Sequence, residues 1–394
     1  MAIAGVRRAA IACFLVPLVL TPLRAAGLDL LEIYSEESSG GAYEFYADSN
    51  HIIPVWLHLE FENLVNLETE IELPYRVLID AGAEREHLFT LQPTRESGRR
   101  GYSIAYRYAR GDPRAVEHDD DHRYLLPFAH GAKYGLTQGY HGDFTHHGEN
   151  TYALDFDMEI GTPVHAARGG TVVEVKQDSA AGGPSVRFDG HANYILIQHE
   201  DGSFGNYVHL EYRGALVEPG ETVEAGQRIG YSGNTGRTSG PHLHFDVRVP
   251  QEDGEMQSIP TTFIGHTGEP ITLEENEYYY GYHPGGEPFE VLLGSQLRDE
   301  DFTDHAAVVS ATNSIEIRTE RVDHTYLVFI ANGFEHDMDV EISIRKIGLR
   351  STRPLPLHLR VPARTESYVT MLRADPSAPR LQFTPRVRYR PSDS

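Results

Sequence analysis

Apolar and polar residues alternate along much of this chain, and the alternation predicts β-strands. The clearest runs are residues 55–61, 102–108, 340–344, 357–361 and 381–389. A period of two places one apolar face of a strand against a core. Helical periodicity is scarce after residue 27, and the 37 Gly and 23 Pro fall mostly between the runs, as turn residues do. The pattern therefore predicts an all-β chain.

The two ends of the chain resemble each other in the order of their predicted strands and turns. Each has strand runs, an Asn, a turn rich in small residues and a final long strand. At 394 residues, two or three domains are expected. We predict two related β-sandwich (Ig-like) modules at 27–123 and 267–394, although two unrelated sandwiches would look alike at this level. The segment between them, 124–266, is rich in Gly and His and is predicted to be a separate domain.

The first residues have the features of an export signal. Arg7 and Arg8 precede an apolar run at 11–20, which is too short to span a bilayer comfortably, and small residues follow up to Ala26. We predict a cleavable signal peptide over 1–26, the alternative being a buried core helix. The mature protein would then be exported, periplasmic or secreted, without a membrane span. Its only cysteine, Cys13, would be lost with the signal, so no disulfide is expected.

The charge balance excludes some partners. With 34 Lys and Arg against 58 Asp and Glu, the formal net charge is −24. Such a chain lacks the basic surface that nucleic-acid binding needs, and its carboxylates would be repelled by anionic lipid. An enzyme, a binding module and a structural protein remain.

A Gly- and Ser-rich stretch, 232–241, runs into His242-Leu243-His244 and an apolar alternation. Residues i and i+2 of a strand face the same side. His242 and His244 are therefore predicted to point into one site, while Leu243 faces the core.

Further candidate ligands lie upstream. His209 is predicted to lie on a second short apolar strand, and a His-rich loop precedes Asp155, which stands between Leu154 and Phe156. A carboxylate in apolar surroundings needs a partner such as a cation. Two histidines, one carboxylate and an open position form a zinc site of the catalytic kind, and a Cys-type structural site is impossible here.

These motifs resemble those of a known family. Residues 139–249 are similar to the lysostaphin/LytM-type zinc metallopeptidases, which cleave peptide cross-links of bacterial peptidoglycan. The matching blocks are Gly161-Thr162-Pro163-Val164, Gly169-Gly170-Thr171-Val172, Val217-Glu218-Pro219-Gly220 and the stretch from Ser232 to His244. The resemblance covers just over a quarter of the chain and implies an antiparallel, barrel-like β-sheet core.

The resemblance also implies roles for individual residues. His146, Asp155 and His244 would bind one Zn²⁺, and His209 and His242 would be the catalytic histidines. One of these two would transfer the proton of a metal-activated water, and the other would hydrogen-bond the oxyanion. Their order stays open.

The sequence departs from the family at the first ligand block. The family places its acid four residues after the histidine, where this chain has Thr151, and about six extra residues precede Asp155. The spacing to the following glycine favours His146 over His147, and His141 is a weaker candidate.

The predicted function is that of an exported zinc metalloendopeptidase acting on peptidoglycan cross-links. One alternative is a non-catalytic cell-wall-binding or amidase-activating protein on the same fold, and another is an exported protease of Gly-rich proteins. The bond that is cut and the oligomeric state stay open. The acidic run 118–122 is predicted to be solvated, and Tyr278-Tyr279-Tyr280 is predicted to be an edge strand or a domain interface.

Overall fold

The computed structural model describes residues 7–9, 30–375, 378 and 380–392, with side chains from residue 30 onward. Over these residues the chain is all-β, as predicted, and α-helix is absent from the described part. Four 3₁₀ turns occur at Pro113–Ala115, Gly148–Asn150, Val186–Phe188 and Asp299–Phe302. No helix in the described part is long and apolar enough to cross a bilayer.

The predicted signal peptide lies outside the described residues apart from Arg7–Ala9, whose backbone pairs with the strand at Gly101–Arg110. The described residues form two compact units, one within 1–275 and 279–286 and the other within 276–278 and 287–394. The boundaries at 26, 123 and 266 stay predictions.

The strands of the first unit begin in the N-terminal region. They are β1 (Arg7–Ala9), β2 (Leu31–Glu37), β3 (Tyr43–Ser49), β4 (Val55–Val65), β5 (Leu67–Glu68), β6 (Tyr75–Ile79), β7 (Glu86–Pro93) and β8 (Gly101–Arg110). They form two four-stranded sheets, ordered β1-β8-β4-β6 and β2-β3-β7-β5. Both sheets contribute to one core, because Phe45 of β3 and Leu57 of β4 belong to the same buried cluster.

The central region supplies the remaining strands of this unit. They are β9 (Arg123–Tyr124), β10 (Lys133–Gln138), β11 (Leu154–Phe156), β12 (Pro163–His165), β13 (Gly170–Lys176), β14 (Gly182–Gly183), β15 (Tyr194–Gln198), β16 (Phe204–Val208), β17 (Leu210–Ala215), β18 (Thr222–Val223), β19 (Arg228–Ser232), β20 (Gly236–Arg237), β21 (Leu243–Pro250), β22 (Met256–Ile259), β23 (Thr262–Ile264), β24 (Pro270–Ile271) and β25 (Tyr278–Tyr280).

A nine-stranded sheet organises this region. Its order is β18-β13-β15-β16-β21-β11-β10-β25, with β22 paired to β21. Strand β25 stands at the end of the order, which confirms the edge strand predicted for the tyrosine run. Leu243, Phe245 and Val247 of β21 lie in the central core, so this strand has one apolar face and one face left for chemistry.

The N-terminal sheets are attached to the nine-stranded sheet by polar and apolar contacts. Arg110, at the end of β8, places its guanidinium 2.7 Å from the carboxylate of Glu174 on β13; Arg110 is buried and the Glu174 side chain is mostly covered. The indole nitrogen of Trp56 donates to the carbonyl of Glu252 over 3.0 Å. Trp56 also shares an apolar cluster with Phe204 of β16.

Eight strands lie among the described residues from 287 onward. They are β26 (Ala306–Val308), β27 (Ile315–Val322), β28 (Thr325–Asn332), β29 (Met338–Ile347), β30 (Leu349–Ser351), β31 (Leu357–Val361), β32 (Thr365–Ala374) and β33 (Gln382–Pro391). One sheet has the order β26-β32-β28-β27 with β30 on β32, and the other has the order β31-β29-β33. Val328 of the first sheet and Ile342 of the second share one core.

Candidate functional site

Asp155 and His244 lie directly opposite each other on the neighbouring strands β11 and β21. Opposite residues of an antiparallel pair share a face, so the two side chains meet. The Oδ1 atom of Asp155 is 2.9 Å from Nδ1 of His244, and both residues are buried.

His146 reaches the same carboxylate from the loop between β10 and β11. Its Nδ1 donates to the carbonyl of Gly139 over 2.7 Å, and its Nε2 lies 3.2 Å from Oδ1 of Asp155. The ligand atoms of His146, Asp155 and His244 all lie within 4.8 Å of one another, the one such group among the described residues. The neighbouring His147 is exposed, as is His141.

The pattern of donors and acceptors in this cluster fits a cation. Because Nδ1 of His146 carries the proton donated to Gly139, its Nε2 presents a lone pair, and this buried atom has no hydrogen-bond partner. His244 faces a carboxylate at each ring nitrogen: Asp155 at Nδ1, and Asp246 at Nε2, where the distance to Oδ2 is 3.0 Å. When the single N–H of a neutral His244 donates from Nε2 to Asp246, its Nδ1 presents a lone pair toward Asp155. Three lone pairs therefore converge where a metal ion would satisfy all of them.

Two more histidines stand beside the cluster. The rings of His209 and His242 are 4.6 Å apart, and the ring of His209 is 5.9 Å from that of His244. Nδ1 of His209 faces the carbonyl of Thr235 at 2.7 Å, and Nδ1 of His242 faces that of Gly240 at 2.8 Å. In each ring the proton donated to the carbonyl leaves Nε2 as the acceptor.

The backbone position of His209 differs from the expectation. His209 does not lie within a strand but joins β16 to β17 with φ of 65°, in the left-handed region. Because non-glycine residues rarely adopt this conformation, the surrounding structure must impose it. The turn moves the chain from the nine-stranded sheet to the sheet β12-β19-β17 and leaves the imidazole beside His242.

The comparisons with known proteins agree with this geometry. Residues 149–257 match the family model described as Peptidase family M23. This segment is an M23 peptidase domain. The match starts three residues after His146, so it does not include the loop that carries the first histidine of the cluster.

Relatives of the M23 domain include named cell-wall enzymes. The Peptidoglycan DD-endopeptidase ShyA of Vibrio cholerae serotype O1 is 44% identical over 95 residues, which cover 24% of this chain and 19% of that protein. Lysostaphin of Staphylococcus staphylolyticus is 34% identical over 157 residues, covering 39% and 29%. The crystallized catalytic domain of lysostaphin from Staphylococcus simulans is 32% identical, with a TM-score of 0.24 and coverage of 32% and 87%. The chain spans less than a third of these two curated relatives.

Zinc is the metal of this M23 domain. The family assignment and the His-Asp-His cluster agree on it, since two imidazoles and one carboxylate are a ligand set that zinc accepts with a further position open. In such sites the chain supplies three ligands and leaves room for water or substrate.

Asp246 and Arg248 extend the cluster into the protein. Asp246 is fully buried, and its Oδ2 accepts from Nδ2 of Asn206 at 3.0 Å as well as facing His244. Arg248 donates to both oxygens of Asp246 and to Oδ1 of Asn150. Asp246 therefore orients the His244 ring, and Arg248 holds Asp246.

The sequence analysis did not identify Asp246 or Arg248, although a signal was present. His242, His244, Asp246 and Arg248 occupy every second position of a strand whose other positions are apolar. Four polar side chains in that pattern indicate a continuous buried polar face rather than a site ending at the second histidine.

The electrostatic environment separates the roles of these groups. Burial lowers the pKa of His209 well below its usual value, and the nearby His242 and His244 lower it further. Burial raises the pKa of Asp155, but the neighbouring imidazoles of His146, His244 and His242 outweigh burial and hold the Asp155 pKa well below its usual range. The site therefore combines an ionised carboxylate with a neutral imidazole at His209.

Other conspicuous groups lie apart from this cluster. In the run 118–122, Nδ1 of His118 is 2.9 Å from the exposed carboxylate of Asp120. His199 faces Ser203 through Nδ1, and burial lowers its pKa to about 3. Neither histidine belongs to the group of convergent ligand atoms.

Proposed function

We propose that this chain is an exported zinc metalloendopeptidase that hydrolyses peptide cross-links of bacterial peptidoglycan. The observation that carries the proposal is the convergence of His146, Asp155 and His244 beside His209 and His242 in an M23 domain. The names of the relatives ShyA and lysostaphin support a cell-wall substrate.

The metal ligands in this proposal are Nε2 of His146, a carboxylate oxygen of Asp155 and Nδ1 of His244. The hydrogen bonds on the opposite side of each imidazole support this choice of atoms. When bound, zinc polarises a scissile carbonyl and lowers the pKa of water toward neutrality.

The two remaining histidines handle protons and charge. Each has Nδ1 directed to a backbone carbonyl, so Nε2 is available to the reaction side. A neutral imidazole accepts a proton at Nε2 near pH 7 and returns it to the leaving amine, while a second ring in its imidazolium form, with an N–H on both nitrogens, donates a hydrogen bond from Nε2 to the oxyanion. Burial keeps His209 neutral, and either His209 or His242 can take either of these two roles.

Export rests on the leader-like residues 1–26 and on the location of the proposed substrate. N-terminal sequencing of the protein recovered from outside the cytoplasm tests it. A mature N-terminus near residue 27 is expected, and an intact Met1 on the exported protein would contradict cleavage.

The central experiment is digestion of purified peptidoglycan by the full mature chain, with mass analysis of the released muropeptides. The wild type should release cross-link cleavage products, and His244→Ala should lose that activity by a factor of at least about a thousand, since a metal ligand is removed. The product masses identify the bond that is cut. A protein that binds zinc but leaves peptidoglycan intact would contradict the proposed substrate, and a protein without zinc or turnover would favour the non-catalytic alternative.

A further inference from the structure

The three-stranded sheet of the second unit has an exposed face with a distinctive charge. Val340 and Ile342 of β29 and Val361 of β31 point into the core of that unit. Because successive side chains of a strand alternate, the residues between them form the opposite, outer face. We call this surface, formed by alternate residues of β31, β29 and β33, the arginine face.

Strand β33 supplies a row of three arginines to the arginine face. Arg386, Arg388 and Arg390 occupy alternate positions, and all three are exposed. Alternate residues of an antiparallel strand are about 6.8 Å apart. The strand therefore presents three guanidinium groups in a line.

The other two strands add further cations and a limited number of acids. Arg360 of β31 and Arg345 of β29 lie on the same face, and so do the carboxylates of Asp339 and Glu341. Asp339 lies opposite both Arg360 and Arg390, and the Arg390 guanidinium is 3.7 Å from it. The Arg360 guanidinium is also 3.0 Å from the carboxylate of Asp337, so five arginines face three carboxylates and a positive excess remains.

Arg386 and Arg388 carry most of that excess. Arg386 lies opposite Ser343, and Arg388 lies opposite Glu341, whose carboxylate is 3.8 Å from His358. In the described part of the chain, neither Arg386 nor Arg388 has a carboxylate within 4.0 Å. Both charges are therefore available to a partner.

The arginine face contrasts with the rest of the protein. Residues 345–390 contain eleven Lys and Arg but two Asp and Glu, in a chain whose net charge is −24. A shallow groove of about 560 Å³ lies on this face and is lined by Arg360, Arg388 and Arg390 together with Asp339 and Glu341. An anionic partner would be repelled elsewhere on the molecule and attracted here.

We propose that the arginine face binds a linear polymer of phosphate groups. A guanidinium presents paired N–H donors that match phosphate oxygens, and a straight row of three suits an extended chain of repeated anions. This surface lies outside the M23 domain and does not depend on the proposed peptidase activity.

The test uses the full mature chain and linear inorganic polyphosphate as the probe. Fluorescence anisotropy of end-labelled polyphosphate, over a series of salt concentrations, should show salt-dependent binding to the wild type. Substitution of Arg386→Gln with Arg388→Gln should weaken binding at least tenfold. It should also reduce the slope of log K against log salt by about 1.4, because two single-strand phosphate contacts are lost.

A matched variant controls for net charge and folding. Arg321→Gln with Arg350→Gln removes two charges from the same unit but away from the arginine face, and it should bind within twofold of the wild type. Circular dichroism should show that both variants keep the β-rich spectrum of the wild type.

Four results would overturn the proposal. They are absence of polyphosphate binding by the wild type, an equal loss of binding in the two double variants, equal competition by orthophosphate at the same phosphate concentration, and preferential binding to vesicles of anionic phosphatidylglycerol. Any of the first three would show that a phosphate polymer is not the ligand or that the arginine face is not its binding site. The last would show that the face binds a membrane surface instead.

Discussion

At the scale of single residues, the contrast between His146 and His147 is the sharpest. The two are adjacent and chemically identical, yet His146 is buried against Asp155 while His147 is exposed. The difference comes from the loop, because the carbonyl of Gly139 accepts the Nδ1 proton of His146 and turns its Nε2 toward the carboxylate.

This contrast leads to a prediction with a built-in control. His146→Ala should lose the bound zinc, because one of three protein ligands disappears, and His147→Ala should keep one zinc per chain. Metal analysis after dialysis against a weak chelator measures both. If His146→Ala retained zinc and His147→Ala lost it, His147 and not His146 would be the metal ligand.

At the scale of elements, strand β21 joins the cluster to the protein interior. Its apolar face belongs to the core, its polar face carries His244, Asp246 and Arg248, and His242 directly precedes the strand. Alternation along a single segment therefore provides a catalytic histidine, a metal ligand and the carboxylate that orients the ligand.

Asp246→Asn tests that orienting contact. We expect zinc affinity to fall by about 10- to 100-fold, since the carboxylate that accepts from Nε2 of His244 becomes an amide. Competition with a metallochromic chelator measures the affinity without any peptidase assay. Asp253→Asn, which changes an exposed carboxylate beyond the same strand, should leave the affinity unchanged. Equal affinities for wild type and Asp246→Asn would remove Asp246 from this role.

Apolar–polar alternation predicts some of the observed strands correctly but not the backbone conformation at their junctions. The i, i+2 spacing predicted that His242 and His244 share a face, and the strands predicted at 55–61, 102–108 and 340–344 are confirmed. The prediction that His209 lies within a strand was wrong, because the residue lies at a junction between two strands and has a left-handed backbone conformation. Local periodicity carries no information about a backbone conformation that neighbouring segments impose.

At the scale of the whole molecule, the N-terminal sheets are attached to the M23 domain by a buried ion pair. Arg110 and Glu174 have side-chain exposures of 4% and 12%, and the hydroxyl of Tyr194 also contacts Glu174. Glu174 and Tyr194 belong to the nine-stranded sheet, whereas Arg110 belongs to β8. The contact therefore couples the stability of the two regions.

Arg110→Met should destabilise the first unit by about 3–5 kcal/mol, because it leaves the carboxylate of Glu174 buried without its cation. Urea unfolding followed by circular dichroism gives the change. Arg85→Met provides the control, since the Arg85–Glu36 pair is exposed and its loss should barely move the unfolding midpoint. Similar midpoints for Arg110→Met and the wild type would show that the ion pair does not couple the two regions.

Sequence alone determined the all-β class, the shared face of His242 and His244, and the residue types of a zinc site, because these follow from spacing and side-chain chemistry. Only the tertiary structure decided that Asp155 stands opposite His244, 89 residues away, and that Asp246 supports the same imidazole. Strand register and buried hydrogen bonds depend on how distant segments pack together, and no local pattern specifies that packing.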